Sequence, residues 1–275
     1  MVEIQSDEIQ LWLVDDQSVD DKDVLESYHA LLNNEELKRL ERFVFPRHKK
    51  QFLLSRALLR SVLANFLELS PEELVFARNA YGKPRVASFA TRAPLQFNLS
   101  HTNGLSVLAI AADKELGVDV EYLTRRVDIL KLARRYFSAE EADSFQALDV
   151  SEYNARFFDL WTLKESYIKA CGMGMAIPLK DFTFHFQPQG LEISFAESRE
   201  DSPQHWYFWQ YRYREQFQLA LAMKDESVDE AGVAGKKVKI YEGVPLQGFT
   251  DCKLELRNRS SVSEYIQEPR PGVLK

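Results

Sequence analysis

The sequence predicts an α+β protein built as two similar halves, and three observations point there. Segments of helical period precede segments of strand period, and this order occurs twice, once on each side of Leu116. Each run closes on a near-repeat: Leu108 to Glu115 reads LAIAADKE, and Leu219 to Glu226 reads LALAMKDE. With 275 residues, 45% of them hydrophobic, the chain is long enough to fill two cores.

The first half opens with a strand over 9–14. Helices follow over 33–42 and 47–66, with Pro46 at the start of the second, where a helix tolerates it. Leu53, Leu59, Val62, Leu63 and Phe66 give that helix an apolar face. A turn over 69–73 leads to strands over 74–78, 96–100 and 105–111. The second half predicts helices over 128–137, 139–147 and 152–171, the last stopped by Gly172. Strands follow over 182–186, 191–195, 206–213 and 218–223. The division is therefore 1–116, 117–225 and an extension over 226–275 of unknown role. That extension is rich in Gly, Pro and mixed charge, with strand-like runs over 238–241 and 253–256, and reads as an appended hairpin or a loose tail.

Bulk composition narrows the function. No apolar run approaches the ~20 residues that cross a bilayer. The first ten residues lack the basic and apolar regions of a signal peptide. Two distant cysteines, Cys171 and Cys252, and five scattered histidines offer neither a disulfide framework nor a zinc pattern. A cytoplasmic protein is expected, with no membrane partner. A net charge of −7 argues against nucleic acid. Yet Lys38, Arg39, Arg42, Arg47, Lys49, Lys50, Arg56 and Arg60 crowd one stretch opposed only by Glu41. An acidic protein that gathers cations so locally meets an anion there.

Four motifs carry candidate chemistry. In Gly117-Val118-Asp119-Val120-Glu121, alternation puts both acids on one strand face. Two converging carboxylates suit Mg²⁺, a hard cation that takes oxygen ligands and phosphates; two solvated acids would read the same way. In Trp161-Thr162-Leu163-Lys164-Glu165-Ser166-Tyr167-Ile168-Lys169, Glu165 and Lys169 are helix neighbours four apart. They form a third ligand and a phosphate contact, or a surface ion pair. Ser100 and His101 close a strand. Lys49, Arg56 and Arg60 share a helix face, and Lys83 sits on a turn in Gly82-Lys83-Pro84-Arg85.

In their order these pieces resemble the 4′-phosphopantetheinyl transferases, of the two-halved, surfactin-synthetase-activating type. The matching segments are Phe43-Val44-Phe45-Pro46-Arg47, Gly82-Lys83-Pro84, Phe97-Asn98-Leu99-Ser100-His101, Gly117 to Glu121, Phe137-Ser138-Ala139-Glu140-Glu141 and Trp161 to Lys169. The last fits W-x-x-K-E-[SA]-x-x-K.

The resemblance implies two halves about a pseudo-twofold axis with the active site between them, in a monomer. It implies transfer of 4′-phosphopantetheine from coenzyme A to a serine of an apo acyl or peptidyl carrier protein, releasing adenosine 3′,5′-bisphosphate. Asp119, Glu121 and Glu165 would hold Mg²⁺, with Asp119 and Lys169 against the pyrophosphate. Arg47, Arg56, Lys83, Ser100 and His101 would bind the nucleotide end. Glu141 would be the general base, with Glu165 or a metal-bound water the alternative. Glu140 would be a bystander, and a capping box from Ser138 to Glu141 would be the plain structural account of the same residues. Another Mg²⁺-dependent phosphate enzyme would need a phosphate-cradling loop, and G-x-x-x-x-G-K-[ST] does not occur. A non-catalytic coenzyme A or carrier-protein binding module would have no need of all these carboxylates.

Overall fold

In the computed structural model, described here over residues 4–87, 95–124, 128–227 and 235–261, two sheets pack face to face with helices outside each. The first sheet holds β1 (Glu8–Asp15), β4 (Leu95–Thr102) and β5 (Leu105–Ala112), extended by β11 (Lys237–Val244) and β12 (Gly248–Asp251), in the order β12-β11-β1-β5-β4. The second holds β6 (Glu115–Tyr122), β9 (Trp206–Tyr213), β10 (Phe217–Lys224) and β13 (Glu255–Arg259), in the order β13-β9-β10-β6. Small hairpins stand beside each sheet, β2 (Phe76–Arg78) with β3 (Pro84–Val86), and β7 (Phe182–Gln187) with β8 (Gly190–Phe195).

Strand alternation explains the layers. Ile9, Leu11 and Leu13 of β1 and Leu105, Val107 and Ala109 of β5 face the second sheet. There they meet Leu116, Val118 and Val120 of β6 and Leu219 and Leu221 of β10. The opposite face of the first sheet buries α1 (Lys22–Ala30), α2 (Asn34–Glu41) and α3 (Pro46–Leu67). The opposite face of the second buries α4 (Ile129–Tyr136), α5 (Ala139–Ser144), α6 (Tyr153–Cys171) and the β7–β8 hairpin. Element order over 8–112 recurs over 115–224: a strand, helices, one long helix, a small hairpin and a two-stranded hairpin.

Helix α1 is absent from the sequence expectation. Asp21 caps it, accepting from the backbone N–H of Asp23 and Val24. The described residues from 235 to 261 are divided between the sheets: β11 runs parallel to β1, and β13 pairs with β9. A buried cluster joins them to both runs. Asp225 accepts from Lys114 at 2.5 Å and from Lys236 at 2.6 Å, and these bonds hold its carboxyl far below the usual range despite burial. Among the described residues no helix is long and apolar enough to cross a membrane.

Candidate active site

The two sheets meet edge to edge along β4 and β6, and side chains make the joint. Asn98, Ser100 and Thr102 lie on one face of β4. Their oxygens accept from the backbone N–H of Val118 at 2.9 Å, Val120 at 3.3 Å and Tyr122 at 3.3 Å. The free edge of β6 is thus satisfied by polar side chains, as buried backbone donors require.

Helix α6 lies across β6 at very short range. A Cβ on Gly117 would come 2.0 Å from the Ser166 carbonyl oxygen and 2.4 Å from the Ala170 nitrogen, so only glycine permits the approach. The approach brings Lys169 over Asp119. The Lys169 ammonium donates to Asp119 Oδ1 at 2.6 Å and to Ser100 Oγ at 3.0 Å, and Ser100 also donates to Asp119 Oδ1 at 3.0 Å. Asp119 is 5% exposed, and its Oδ2 is buried without a partner.

Glu165, one turn before Lys169, is pushed up to about 7, from an ordinary 4.5. Burial is the main cause and the negative charge of Asp119 the next; Lys169 opposes them and Glu121 adds to them. The three acids therefore feel one another. They are not gathered into a finished ligand set, since among the described residues no three His, Cys, Asp or Glu side chains stand ready to hold a metal ion. The expected convergence is incomplete for a physical reason: Lys169, expected on a phosphate, here lies on Asp119 and supplies the positive charge itself. The residues nevertheless fit a hard divalent cation, because an orphaned carboxylate oxygen and a half-buried acid with a raised pKa mark uncompensated negative charge.

Cations gather nearby. Arg56 is lowered to about 10, chiefly by burial, with Arg39, Arg60 and Arg78 lowering it further against Glu36. Its Nε is buried without a partner. His101 is held below its ordinary value by burial first, then by Arg56, Lys169 and Arg39. Arg39 and Arg56 both lie over the Phe52 ring, at 5.4 and 5.7 Å. Arg39 and Arg78 are not among the expected site residues. Their long side chains come from separate elements; Arg39 is marked only as one of the cations crowded between Lys38 and Arg60, and no local pattern marks Arg78. Arg60 serves the frame instead. Fully buried, it donates to Glu36 at 2.7 Å and to the carbonyls of Pro71 and Leu74.

Three expected residues lie apart from this network. Arg47 is exposed at the start of α3, beside His48 and Phe45. Lys83 donates to the carbonyls of Leu116 at 3.0 Å and Ala170 at 2.8 Å, near the C-terminal end of α6, where a cation is favoured. Glu141 is 3% exposed with both oxygens engaged. One accepts from the Phe184 N–H at 2.9 Å. The other accepts from the Ser138 N–H at 3.0 Å and pairs with the fully buried Lys164 at 2.8 Å. The capping box is present. Both oxygens of the carboxylate are taken in this geometry, so nothing in it supports the general-base role expected of Glu141. Glu140 is exposed and pairs with His185.

Comparison with known proteins agrees on one family. Residues 115–222 match the family model described as the 4′-phosphopantetheinyl transferase superfamily, and residues 20–113 match the 4′-phosphopantetheinyl transferase N-terminal model. The 4′-phosphopantetheinyl transferase HetI of Nostoc sp. is 35% identical over 171 residues, covering 62% of this chain and 71% of that protein. Sfp of Bacillus subtilis, also a 4′-phosphopantetheinyl transferase, is 30% identical over 178 residues, covering 65% and 76%. The L-aminoadipate-semialdehyde dehydrogenase-phosphopantetheinyl transferase of Xenopus laevis is 28% identical over 202 residues, covering 69% and 67%.

Proposed function

This chain belongs to the 4′-phosphopantetheinyl transferase superfamily, and from that premise we propose that it moves the 4′-phosphopantetheine arm of coenzyme A onto a serine of an apo acyl or peptidyl carrier protein. The observation that carries the proposal is the seam where α6 crosses β6. There one buried carboxylate, one raised glutamate and one lysine stand beside a cluster of arginines. That arrangement suits a ligand with a pyrophosphate and a further phosphate.

Asp119, Glu121 and Glu165 would hold a divalent cation, Mg²⁺ by their oxygen chemistry, which when bound neutralises charge on the transferring phosphate. Lys169 swings from Asp119 to the pyrophosphate as the ligand enters. Arg56, with Arg39 and His101 beside it, receives the nucleotide's 3′-phosphate; an Arg fork is suited to this. Glu165, stripped of its own proton by the cation, would take the proton of the carrier serine. The serine oxygen forms its bond to the β-phosphorus as the bond to the α-phosphate oxygen breaks, and adenosine 3′,5′-bisphosphate carries the electron pair away. Lys83 and Glu141 hold α6 and its surroundings in place. Both walls of the seam come from one chain, which supports a monomer.

The test is direct. The purified protein is incubated with coenzyme A, Mg²⁺ and an apo carrier protein, and the carrier is weighed. A carrier heavier by one phosphopantetheine, and only with Mg²⁺ present, is the expected result. An unmodified carrier across a panel of acyl and peptidyl carriers overturns the reading.

A further inference from the structure

The sheet face that carries Asp119 and Glu121 also carries two buried glutamines, and they differ. Gln210 on β9 and Gln218 on β10 are both 0% exposed. Both ends of Gln210 are occupied: it donates to the Asp159 carbonyl at 2.8 Å and accepts from Asn258 at 2.9 Å. Neither the oxygen nor the nitrogen of the Gln218 amide has a partner. A buried amide left unpaired is costly, and a native chain keeps one only for a reason.

The register locates it. Gln218 stands opposite Glu121 on β6 and Arg212 on β9. Residues directly opposite in an antiparallel pair share a face, with Cβ atoms about 4.5–5.5 Å apart. Ala220 and Ala222 of β10 pack toward the helices, while Phe217, Leu219 and Leu221 pack between the sheets. Gln218 therefore points toward the α6 side, next to Glu121. Asp119 is one rung away, opposite Ala220, and its Oδ2 too is buried without a partner.

We propose that Gln218 is a positioning residue of the divalent-cation site: its amide N–H groups donate to the Glu121 carboxylate, directly or through one ordered water, and fix the orientation in which that carboxylate meets the cation. This rests on the assignment of Asp119, Glu121 and Glu165 as cation ligands. It explains why an amide is kept where a hydrocarbon would be more stable. The Gln218 amide nitrogen gains its acceptor only when a cation draws Glu121 into place.

Mn²⁺ binding by the full chain, followed by electron paramagnetic resonance without coenzyme A or carrier, tests it. Gln218→Met removes the amide at nearly constant volume, and Gln218→Leu is the second variant should the first fold poorly. The expected result is a Kd for Mn²⁺ raised about 10–100-fold, the usual consequence of losing an outer partner of a metal ligand, with a melting temperature equal to or above wild type. Gln210→Met is the control: it loses two hydrogen bonds, so its melting temperature falls while its Kd for Mn²⁺ holds. A Kd within twofold of wild type in the Gln218 variant overturns the proposal, as does an equal loss in Gln210→Met, which would assign both to general packing. Wild-type protein that binds no Mn²⁺, or binds it as well after Asp119→Asn, would instead remove the cation site itself, and Gln218's role with it.

Discussion

Strands β1 and β6 occupy corresponding places, each with a central antiparallel partner, β5 or β10, and each beneath a long helix. Their contents differ. Toward its helices β1 presents Gln10, Trp12 and Val14, and Trp12 packs against Phe66, Tyr241 and Phe249. Toward α6, β6 presents Gly117, Asp119 and Glu121. β1 is also flanked on both edges by strands, β5 and β11, whereas the second edge of β6 is met by the side chains of β4. The same slot in a sheet can thus hold a core or a site. What decides is whether the helix-facing positions carry bulk or charge, and whether the edge is closed by backbone or by side chains.

The largest effects should separate the acids of the seam from those of the frame. Glu165→Gln should lower the rate of carrier modification about 10²–10⁴-fold, the range for loss of a general base, with little change in melting temperature. Glu141→Gln should do the reverse. It leaves Lys164 buried beside an uncharged partner, and breaking such a pair costs about 3–5 kcal/mol. Denaturant titration would record that loss, while turnover per folded molecule stays near wild type. Normal turnover in the Glu165 variant would return the base to another group.

Next comes the approach of the helix. Gly117→Ala should cost about 1–3 kcal/mol of stability by overpacking and reduce transfer as well, because α6 must move away from the Ser166 and Ala170 backbone. The matching change on β1, Gln10→Ala, should leave the rate alone. Equal rates in both variants would deny that close approach builds the site.

A third test uses pH. The Glu165 carboxyl is raised to about 7 in the cation-free protein, so below that pH it holds a proton that a cation must displace. Affinity for Mn²⁺ should rise with pH up to about 7, by at most about tenfold per unit, with a proton released on binding that calorimetry in two buffers would detect. The sign for stability is opposite. An acid raised above its unfolded value of 4.5 favours the folded state when protonated, so the cation-free protein should lose stability as pH rises from about 4.5 through 7. A pH-independent affinity over this range would contradict the assignment.

The smallest effect concerns the seam's side-chain ladder. Thr102→Val removes one acceptor from Tyr122 at the outer end. It should cost about 0.5–1.5 kcal/mol with the rate preserved.

The legible parts of the molecule are those with local causes. Strand alternation places Asp119 and Glu121 on one face, and helical spacing places Glu165 beside Lys169. The long helices and the β9–β10 hairpin follow from period alone. Tertiary partners are not legible. The Gly82-Lys83-Pro84 turn looks the same whether Lys83 meets a phosphate or, as here, the carbonyls of Leu116 and Ala170. Ser138 and Glu141 spell a capping box, but the Lys164 ammonium that completes the burial of Glu141 lies beyond any local pattern. Arg39 and Arg78 reach Arg56 by length of side chain, which sequence does not record. The parallel pairing of β11 with β1 leaves no trace in either segment.

That last pairing has a consequence for how the protein is made. β1 is made long before β11, its parallel neighbour and among the last of the described strands. Until β11 arrives, one row of β1 backbone donors and acceptors is open, the kind of edge at which chains join one another. Contacts so distant in sequence are slow to form. Nascent or truncated chains ending before Lys237 therefore present an unfinished sheet whose natural remedy is pairing with another chain. Holding that edge apart during synthesis would fall to a chaperone or to the speed of translation.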